Sequence, residues 1–170
     1  MTIAAHPRYF EDLRQQSNAA GEVGGLLMRL LLKATSHARN NATDWRPLAR
    51  AYIEEIAQEA GVDNWDGCGA KAVSLAAKEN AQGLIDMLPF RLKMPEVLPD
   101  PDGEIALCWD LGPSRTFTVT IGSSGMLSYA GILGNGEEPH GVEPITGGVP
   151  KPVAQALEQL FSEEQSSPGR

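Results

Sequence analysis

The residues that could do chemistry in this chain of 170 residues are concentrated in two loops. The first is Asp63-Asn64-Trp65-Asp66-Gly67-Cys68-Gly69-Ala70, which precedes a helix-like segment. A thiol ahead of a helix can act as a nucleophile when the helix N-terminus lowers its pKa. No cysteine-nucleophile signature surrounds Cys68. We therefore favour the interpretation that Cys68 is a small residue in a tight turn.

The same loop has a binding interpretation and a structural one. Tryptophan is enriched in binding hot spots, so Trp65 and Asp66 could face a partner. Alternatively, Trp65 fills the groove between two helices, Asp66 accepts hydrogen bonds from nearby backbone N–H groups, and Gly67 and Gly69 take positive φ. The structural interpretation is favoured, and it predicts that Trp65→Ala costs about 3–5 kcal/mol if Trp65 is buried. The candidate binding or structural residues of this loop are Trp65, Asp66, Gly67 and Cys68.

The second loop is Gly136-Glu137-Glu138-Pro139-His140-Gly141. Loops carry function disproportionately, so Glu137, Glu138 and His140 form a second candidate site. A lone loop histidine is more often solvated than catalytic. The enzyme alternative is a hydrolase or nuclease-like protein in which these three side chains and Asp66 converge around a sheet.

The spacing of candidate ligands in this chain does not match the known metal-binding and phosphate-binding motifs. Asp100, Asp102 and Glu104 faintly resemble a calcium loop, but the EF-hand pattern places Glu at its twelfth position, where this chain has Leu111. No His/Cys set has zinc spacing. The glycines of residues 131–136 lack the Lys-Ser/Thr of a phosphate loop. We expect no metal and no cofactor.

Composition excludes other classes of function. The net charge is -8, from 14 basic and 22 acidic residues, which disfavours direct nucleic-acid binding and permits a basic protein partner. No signal peptide precedes the chain, so we expect a cytoplasmic protein whose thiols are reduced. The most apolar run, residues 26–32, is too short to span a membrane.

Four helices are predicted before any strand, at about residues 7–19, 22–39, 44–60 and 74–88. Thr43 or Asp44 can cap the third, and Ser74 the fourth. The second carries a wide apolar stripe at helical spacing. This stripe consists of Val23, Leu26, Leu27, Leu30, Leu31 and Ala34.

After the fourth helix, three prolines exclude a helix over residues 94–103, and Asp102-Gly103 signals a turn. The apolar period then changes to two, which predicts three strands around residues 105–109, 117–121 and 127–131. A fourth short strand is expected near residues 138–142, and Pro150 or Pro152 opens a closing helix. The prediction is an α+β fold with a three- to four-stranded antiparallel meander. We divide it into a helical part (1–62), a helix-plus-sheet body (63–161), which together form one compact domain, and a flexible tail (162–170).

Several of these motifs recur together in a known group of proteins. In order, they are Asn64-Trp65-Asp66-Gly67-Cys68-Gly69-Ala70, a helix ending in Leu88-Pro89, Pro99-Asp100-Pro101-Asp102-Gly103, a strand ending in Trp109, Leu127-Ser128-Tyr129-Ala130-Gly131, and Gly136-Glu137-Glu138-Pro139-His140-Gly141. Over residues 63–161 the chain resembles a family of small uncharacterised bacterial and phage-borne proteins. The resemblance implies an accessory or mobile-element gene, in toxin–antitoxin-like or defence-related neighbourhoods.

The leading hypothesis is a non-enzymatic protein that binds another protein, as an inhibitor of a defence system or an antitoxin-like neutraliser. The expected partner is basic or a nucleoprotein complex. The alternatives are the enzyme described above and a small-ligand sensor with a pocket between sheet and helices. The wide stripe of the second predicted helix also permits homo-oligomerisation.

Overall fold

The computed structural model describes residues 44–162, which form three helices and five strands. In chain order the elements are α1 (Arg46–Glu59), α2 (Leu75–Met87), β1 (Glu96–Pro99), β2 (Ile105–Asp110), β3 (Arg115–Ile121), β4 (Met126–Leu133), β5 (His140–Pro144) and α3 (Lys151–Ser162). The predicted α+β class is confirmed.

The helix boundaries follow local sequence chemistry. Ser74 caps α2 as predicted, because its side chain accepts a hydrogen bond from the backbone N–H of Ala77 at 3.1 Å. The N-cap position of α1 is Trp45, which makes no side-chain cap bond. Asp44 instead accepts a 3.1 Å bond from the N–H of Arg46 and pairs with the Arg46 guanidinium at 2.7 Å.

The five strands form an antiparallel meander in the order β1-β2-β3-β4-β5. The register places residues in cross-strand rows, so each face of the sheet can be read directly. One row on the first face consists of Val97, Leu107, Val119, Tyr129 and Gly141. One row on the second face consists of Glu96, Cys108, Thr118, Ala130 and His140.

All three helices pack on the first face. A single cluster of buried side chains joins this face to the helices, and α1 belongs to it as fully as α2 and α3. Its sheet members include Leu107, Phe117 and Val119, which have no exposed surface. Trp109 and Phe117 are in ring contact, with centroids 6.3 Å apart. The second face, which we call the open face, has no described helix against it.

The predicted strand count was wrong. Residues 96–99, for which the prolines excluded a helix and no strand was predicted, form the edge strand β1. An edge strand needs backbone hydrogen bonds on one side only, so proline is tolerated there. The last predicted strand begins at His140 rather than at residue 138.

Two of the predicted helices, at about residues 7–19 and 22–39, lie outside the described residues. The predicted tail, from residue 163 onward, also lies outside them. Ser162, predicted to belong to the tail, is the last residue of α3.

Gly131 lies where strands β3 and β4 pack too closely for a side chain. A Cβ at this position would lie 2.5 Å from the Thr116 carbonyl oxygen and 2.6 Å from the Phe117 ring. We expect Gly131→Ala to lower the free energy of unfolding by about 1–3 kcal/mol, because the strand cannot accept the extra methyl group. Gly148→Ala is the matched control, since a Cβ there meets nothing within 4 Å. Urea denaturation measures both, and equal stability of the two variants contradicts the close packing of β3 against β4.

Candidate functional site

The side-chain oxygens of the Trp65 loop bond to the loop itself. Asp66 Oδ1 accepts hydrogen bonds from the backbone N–H of Cys68 at 2.8 Å and of Ala70 at 3.1 Å. Asn64 Oδ1 accepts one from the N–H of Gly69 at 2.7 Å. The bond from Cys68, supported by the one from Ala70, holds the pKa of Asp66 below its usual range. Asp66 Oδ1 and Asn64 Oδ1 are therefore engaged in holding the turn.

The backbone of this loop requires residues that tolerate positive φ. Gly67 and Gly69 have φ of 74° and 93°, as the structural interpretation predicts. Asn64 has φ of 63°, and asparagine is among the few other residues that adopt this conformation readily. The backbone conformation of the loop therefore explains why glycine and asparagine stand at these three positions.

Trp65 and Cys68 differ in their surroundings. Trp65 is half-buried against the core, and its Nε1 donates to the Lys71 carbonyl oxygen at 3.1 Å. Cys68 is an exposed free thiol. The first residue of α2 is Leu75, and the cap bond comes from Ser74. Cys68 therefore lies well before the helix N-terminus that could activate it.

Lys71 ties the Trp65 loop to one end of the sheet. Its backbone N–H donates to the Pro101 carbonyl oxygen at 2.8 Å, and its Nζ lies 3.0 Å from Asp102 Oδ1. Pro101 and Asp102 form the turn between β1 and β2. The loop is thus anchored beside the edge strand β1.

The second candidate loop connects β4 to β5. The backbone N–H of Glu137 donates to Asn135 Oδ1 at 2.9 Å, and Leu133 donates to the Glu137 carbonyl oxygen at 3.0 Å. His140 begins β5, opposite Ala130, and is exposed. Its Nδ1 lies 3.1 Å from the Glu138 carbonyl oxygen. The histidine is oriented by the main chain and faces solvent on the open face.

The two loops lie at opposite corners of the sheet. The Trp65 loop meets the β1–β2 turn, whereas Glu137 follows β4 at the other end of the strands. Six residues along a strand and three strand spacings separate these corners, which amounts to about 20 Å or more. Asp66 is therefore not brought together with Glu137, Glu138 and His140. Within residues 44–162, no group of three or more His, Cys, Asp or Glu side chains is placed to hold a metal ion.

The open face contains a feature that the sequence patterns did not predict. Its exposed apolar side chains lie on β4 and β5: Met126 and Ile132 are each 38% exposed and Val142 is 62% exposed. Ala130 and His140 are paired between them across the two strands. We call these five residues the β4–β5 patch. The available signal was the alternation of β4, which places Met126, Ala130 and Ile132 on the side away from the core, together with the polar Ser128.

The opposite half of the open face, on β1 and β2, is more enclosed. Burial, and then the nearby Asp110 carboxylate, raise the pKa of Glu96. Glu96 Oε1 has almost no accessible surface and no hydrogen-bond partner within the described residues. Burial also raises the pKa of the Cys108 thiol, and the Thr118 hydroxyl donates to Cys108 Sγ at 3.6 Å.

The pocket expected for a ligand sensor would lie between sheet and helices. In the described part of the chain that space is occupied by fully buried side chains such as Ile53, Leu84 and Phe117. A groove of about 580 Å³ lies elsewhere, between α3 and the β4–β5 turn. Its acidic lining residues are Glu137 and Glu158. The groove thus carries negative charge on the side of the sheet where α3 packs.

Comparison with protein-family models, with curated proteins and with solved structures returns no match. The resemblance to the bacterial and phage-borne family therefore stays a prediction. None of the helices in residues 44–162 combines the length and apolar character needed to cross a membrane.

Trp65 is only half-buried, so its truncation should cost less than that of a buried tryptophan. We expect Trp65→Ala to lower the free energy of unfolding by about 1–3 kcal/mol and Trp109→Ala by about 3–5 kcal/mol. Trp109 is the matched control, since it is buried and its Nε1 also donates to a carbonyl oxygen, that of Lys93 at 2.9 Å. Chemical denaturation measures both. An unchanged free energy of unfolding for Trp65→Ala would show that Trp65 has no structural role in the loop.

Glu96→Gln should stabilise the protein at neutral pH. The raised pKa means that ionised Glu96 destabilises the folded state above that pKa, and the penalty disappears below the ordinary glutamate value of about 4.3. We expect a higher melting temperature for Glu96→Gln at pH 7, with the difference shrinking as the pH falls toward 4. Glu54→Gln is the control of opposite sign, because the bond from Lys78 lowers the pKa of Glu54. A gain that does not depend on pH would show that the buried charge of Glu96 is not its cause.

Proposed function

We propose that this is a non-enzymatic binding protein that contacts another protein through the β4–β5 patch. The observation that carries the proposal is the exposure of Met126, Ile132 and Val142 on a sheet face with no described helix against it. Exposed apolar side chains that lie together on one face are typical of interaction sites.

The charge around the patch indicates the chemistry of the partner. Glu137 and Glu138 stand in the turn that leads into β5. The described residues carry eight Lys/Arg and 17 Asp/Glu side chains. An apolar centre with an acidic rim favours a partner surface with an apolar strip flanked by Lys or Arg.

The face of the sheet is a better contact surface than its edge. β5 has only five residues and ends at Pro144, with Pro139 immediately before it. Proline offers no N–H to an added strand, and short edge strands resist pairing with another chain. The patch side chains project from the face, where nothing in the backbone limits access.

The arrangement of the candidate catalytic residues favours binding over catalysis. General acid–base chemistry needs its groups within hydrogen-bond reach of one reacting centre. Asp66 lies beside the β1–β2 turn, His140 lies on the edge strand β5 at the other side of the sheet, and Cys68 is part of a turn held by its own hydrogen bonds.

Two roles follow from the resemblance to the bacterial and phage-borne family. An inhibitor of a defence system and an antitoxin-like neutraliser both act by occupying a surface of another protein, in the cytoplasm. Both suit a basic partner, including the protein part of a nucleoprotein complex. The identity of the bound protein distinguishes the two roles.

The proposal predicts that Val142→Asp abolishes partner binding. Val62→Asp is the matched control, because Val62 is 64% exposed against 62% for Val142 but lies in the loop after α1. The tagged full-length chain and both variants are incubated with a lysate of the source cells, and proteins retained in stoichiometric amount are identified by mass spectrometry. We expect the partner to be retained by the wild type and by Val62→Asp and lost from Val142→Asp, with similar melting temperatures for all three.

Two further results belong to the same experiment. Binding should weaken as salt rises and in Glu137→Lys with Glu138→Lys, because the rim contributes attraction to Lys and Arg. Retention by Val142→Asp equal to that of the wild type contradicts the proposal. So does recovery of a second copy of this chain as the sole stoichiometric partner.

A further inference from the structure

His140 is held in one orientation by the main chain beside it. Its Nδ1 lies 3.1 Å from the Glu138 carbonyl oxygen. A carbonyl oxygen can only accept a hydrogen bond, so this bond requires the proton of the neutral imidazole to be on Nδ1. Nε2 then carries no hydrogen and is an acceptor. Because Nδ1 is engaged and His140 is exposed, Nε2 is the ring nitrogen that a partner can reach.

Glu138 belongs to the same face of the sheet as His140. β4 and β5 pair with Ala130 opposite His140. Two main-chain bonds of 3.0 Å continue this register past the end of β5, from the N–H of Gly131 to the Pro139 carbonyl oxygen and from that of Leu133 to Glu137. Glu138 therefore lies opposite Ile132 on the open face, because side chains two residues apart on a strand share a face. Glu137 points to the other face, where it lines the groove against α3.

The Glu138 carboxylate is available to a partner. Glu138 is exposed, and none of the ion pairs within residues 44–162 involves it. Its bond with His140 uses the main-chain carbonyl oxygen and leaves the side chain free. Alternate residues of a strand are about 7 Å apart. The β5 side of the patch thus presents two neighbouring acceptors, the Glu138 carboxylate and His140 Nε2.

An arginine side chain matches this arrangement. The guanidinium is planar and always charged, and it carries five N–H donors, so one group can bond to a carboxylate and to a second acceptor at once. Its aliphatic stem packs on apolar surface, which Ile132 and Val142 provide at 38% and 62% exposure. The lysine ammonium is a compact and strongly hydrated point charge, so it matches two separated acceptors less well.

We propose that Glu138 and His140 form a recognition site for an arginine side chain of the bound protein. Glu138 pairs with the guanidinium, His140 Nε2 accepts one of its N–H groups, and Ile132 and Val142 contact the stem. The inference rests on the proposed function, and it specifies which residue of a basic partner meets the β4–β5 patch.

The position of the His140 ring proton is measured on the free full-length chain. Long-range ¹H–¹⁵N NMR at about pH 8, above the range in which histidines usually become charged, distinguishes the protonated ring nitrogen from the other. The signals of His140 are those that disappear in His140→Gln. We expect the proton on Nδ1. A proton on Nε2 overturns the inference, because the ring would then present a donor to the guanidinium.

The affinity of the captured partner tests both acceptors by isothermal titration calorimetry. Glu138→Gln and His140→Phe should each raise the Kd by about tenfold or more, because the guanidinium loses a charged acceptor or keeps an unpaired N–H group. His140→Phe retains an aromatic ring, so a purely apolar contact would preserve the affinity. Glu143→Gln is the matched control and should leave the Kd unchanged, since Glu143 also lies on β5 but on the other face, opposite Leu127.

Chemical footprinting identifies the residue that the partner contributes. The partner's arginines are labelled with phenylglyoxal and its lysines with an acetylating reagent, both free and in the complex. Mass spectrometry then locates the protected sites. We expect the wild-type complex to protect at least one arginine. Protection of lysines without any arginine overturns the inference.

The arginine site and the proposed function fail on different variants. If the partner is lost from Val142→Asp but binds Glu138→Gln or His140→Phe as tightly as the wild type, the arginine site is overturned and the proposed function stands. An equal rise in Kd for Glu143→Gln and Glu138→Gln also overturns the arginine site. Retention of the partner by Val142→Asp contradicts the proposed function itself.

Discussion

The packing of three helices on one face of a five-stranded antiparallel meander determines the rest of this structure. Phe117, Val119 and Ile121 alternate with Thr116, Thr118 and Thr120, so a single strand supplies both the core and the opposite surface. The burial of that first face provides the main stabilising free energy, because apolar area is removed from water. The same alternation leaves a second face whose side chains are not needed for the core.

The geometry of the sheet explains why the two loops with candidate functional residues do not form one site. The register fixes the Trp65 loop beside the β1–β2 turn and Glu137 at the far end of β4. The loops are positioned by different ends and edges of one rigid sheet. What the sheet does assemble is an open face with exposed apolar side chains on β4 and β5 and a partly enclosed half on β1 and β2. The proposed function is therefore binding rather than catalysis by these residues.

Much of the fold could be predicted from local patterns, and the exceptions have physical causes. Ser74 and the period-two strands are short-range signals, and they placed α2, β2, β3 and β4 correctly. β1 was missed because its prolines exclude a central strand but not an edge strand. The β4–β5 patch was missed because Met126 and Val142 become diagonal neighbours only through the register of two strands. The bonds of Asp66 to nearby N–H groups were predictable, since short acidic side chains in Gly-rich turns usually bond to the following residues.

In the proposed complex, a partner covers the β4–β5 patch and leaves the helical face free. Hydroxyl-radical footprinting of the complex with the captured partner tests it directly, because Met126 is exposed on the patch and Phe90 is exposed in the loop after α2. We predict that Met126 and His140 are protected from oxidation in the complex and that Phe90 is not. Protection of Phe90 with unchanged oxidation of Met126 would contradict the claim.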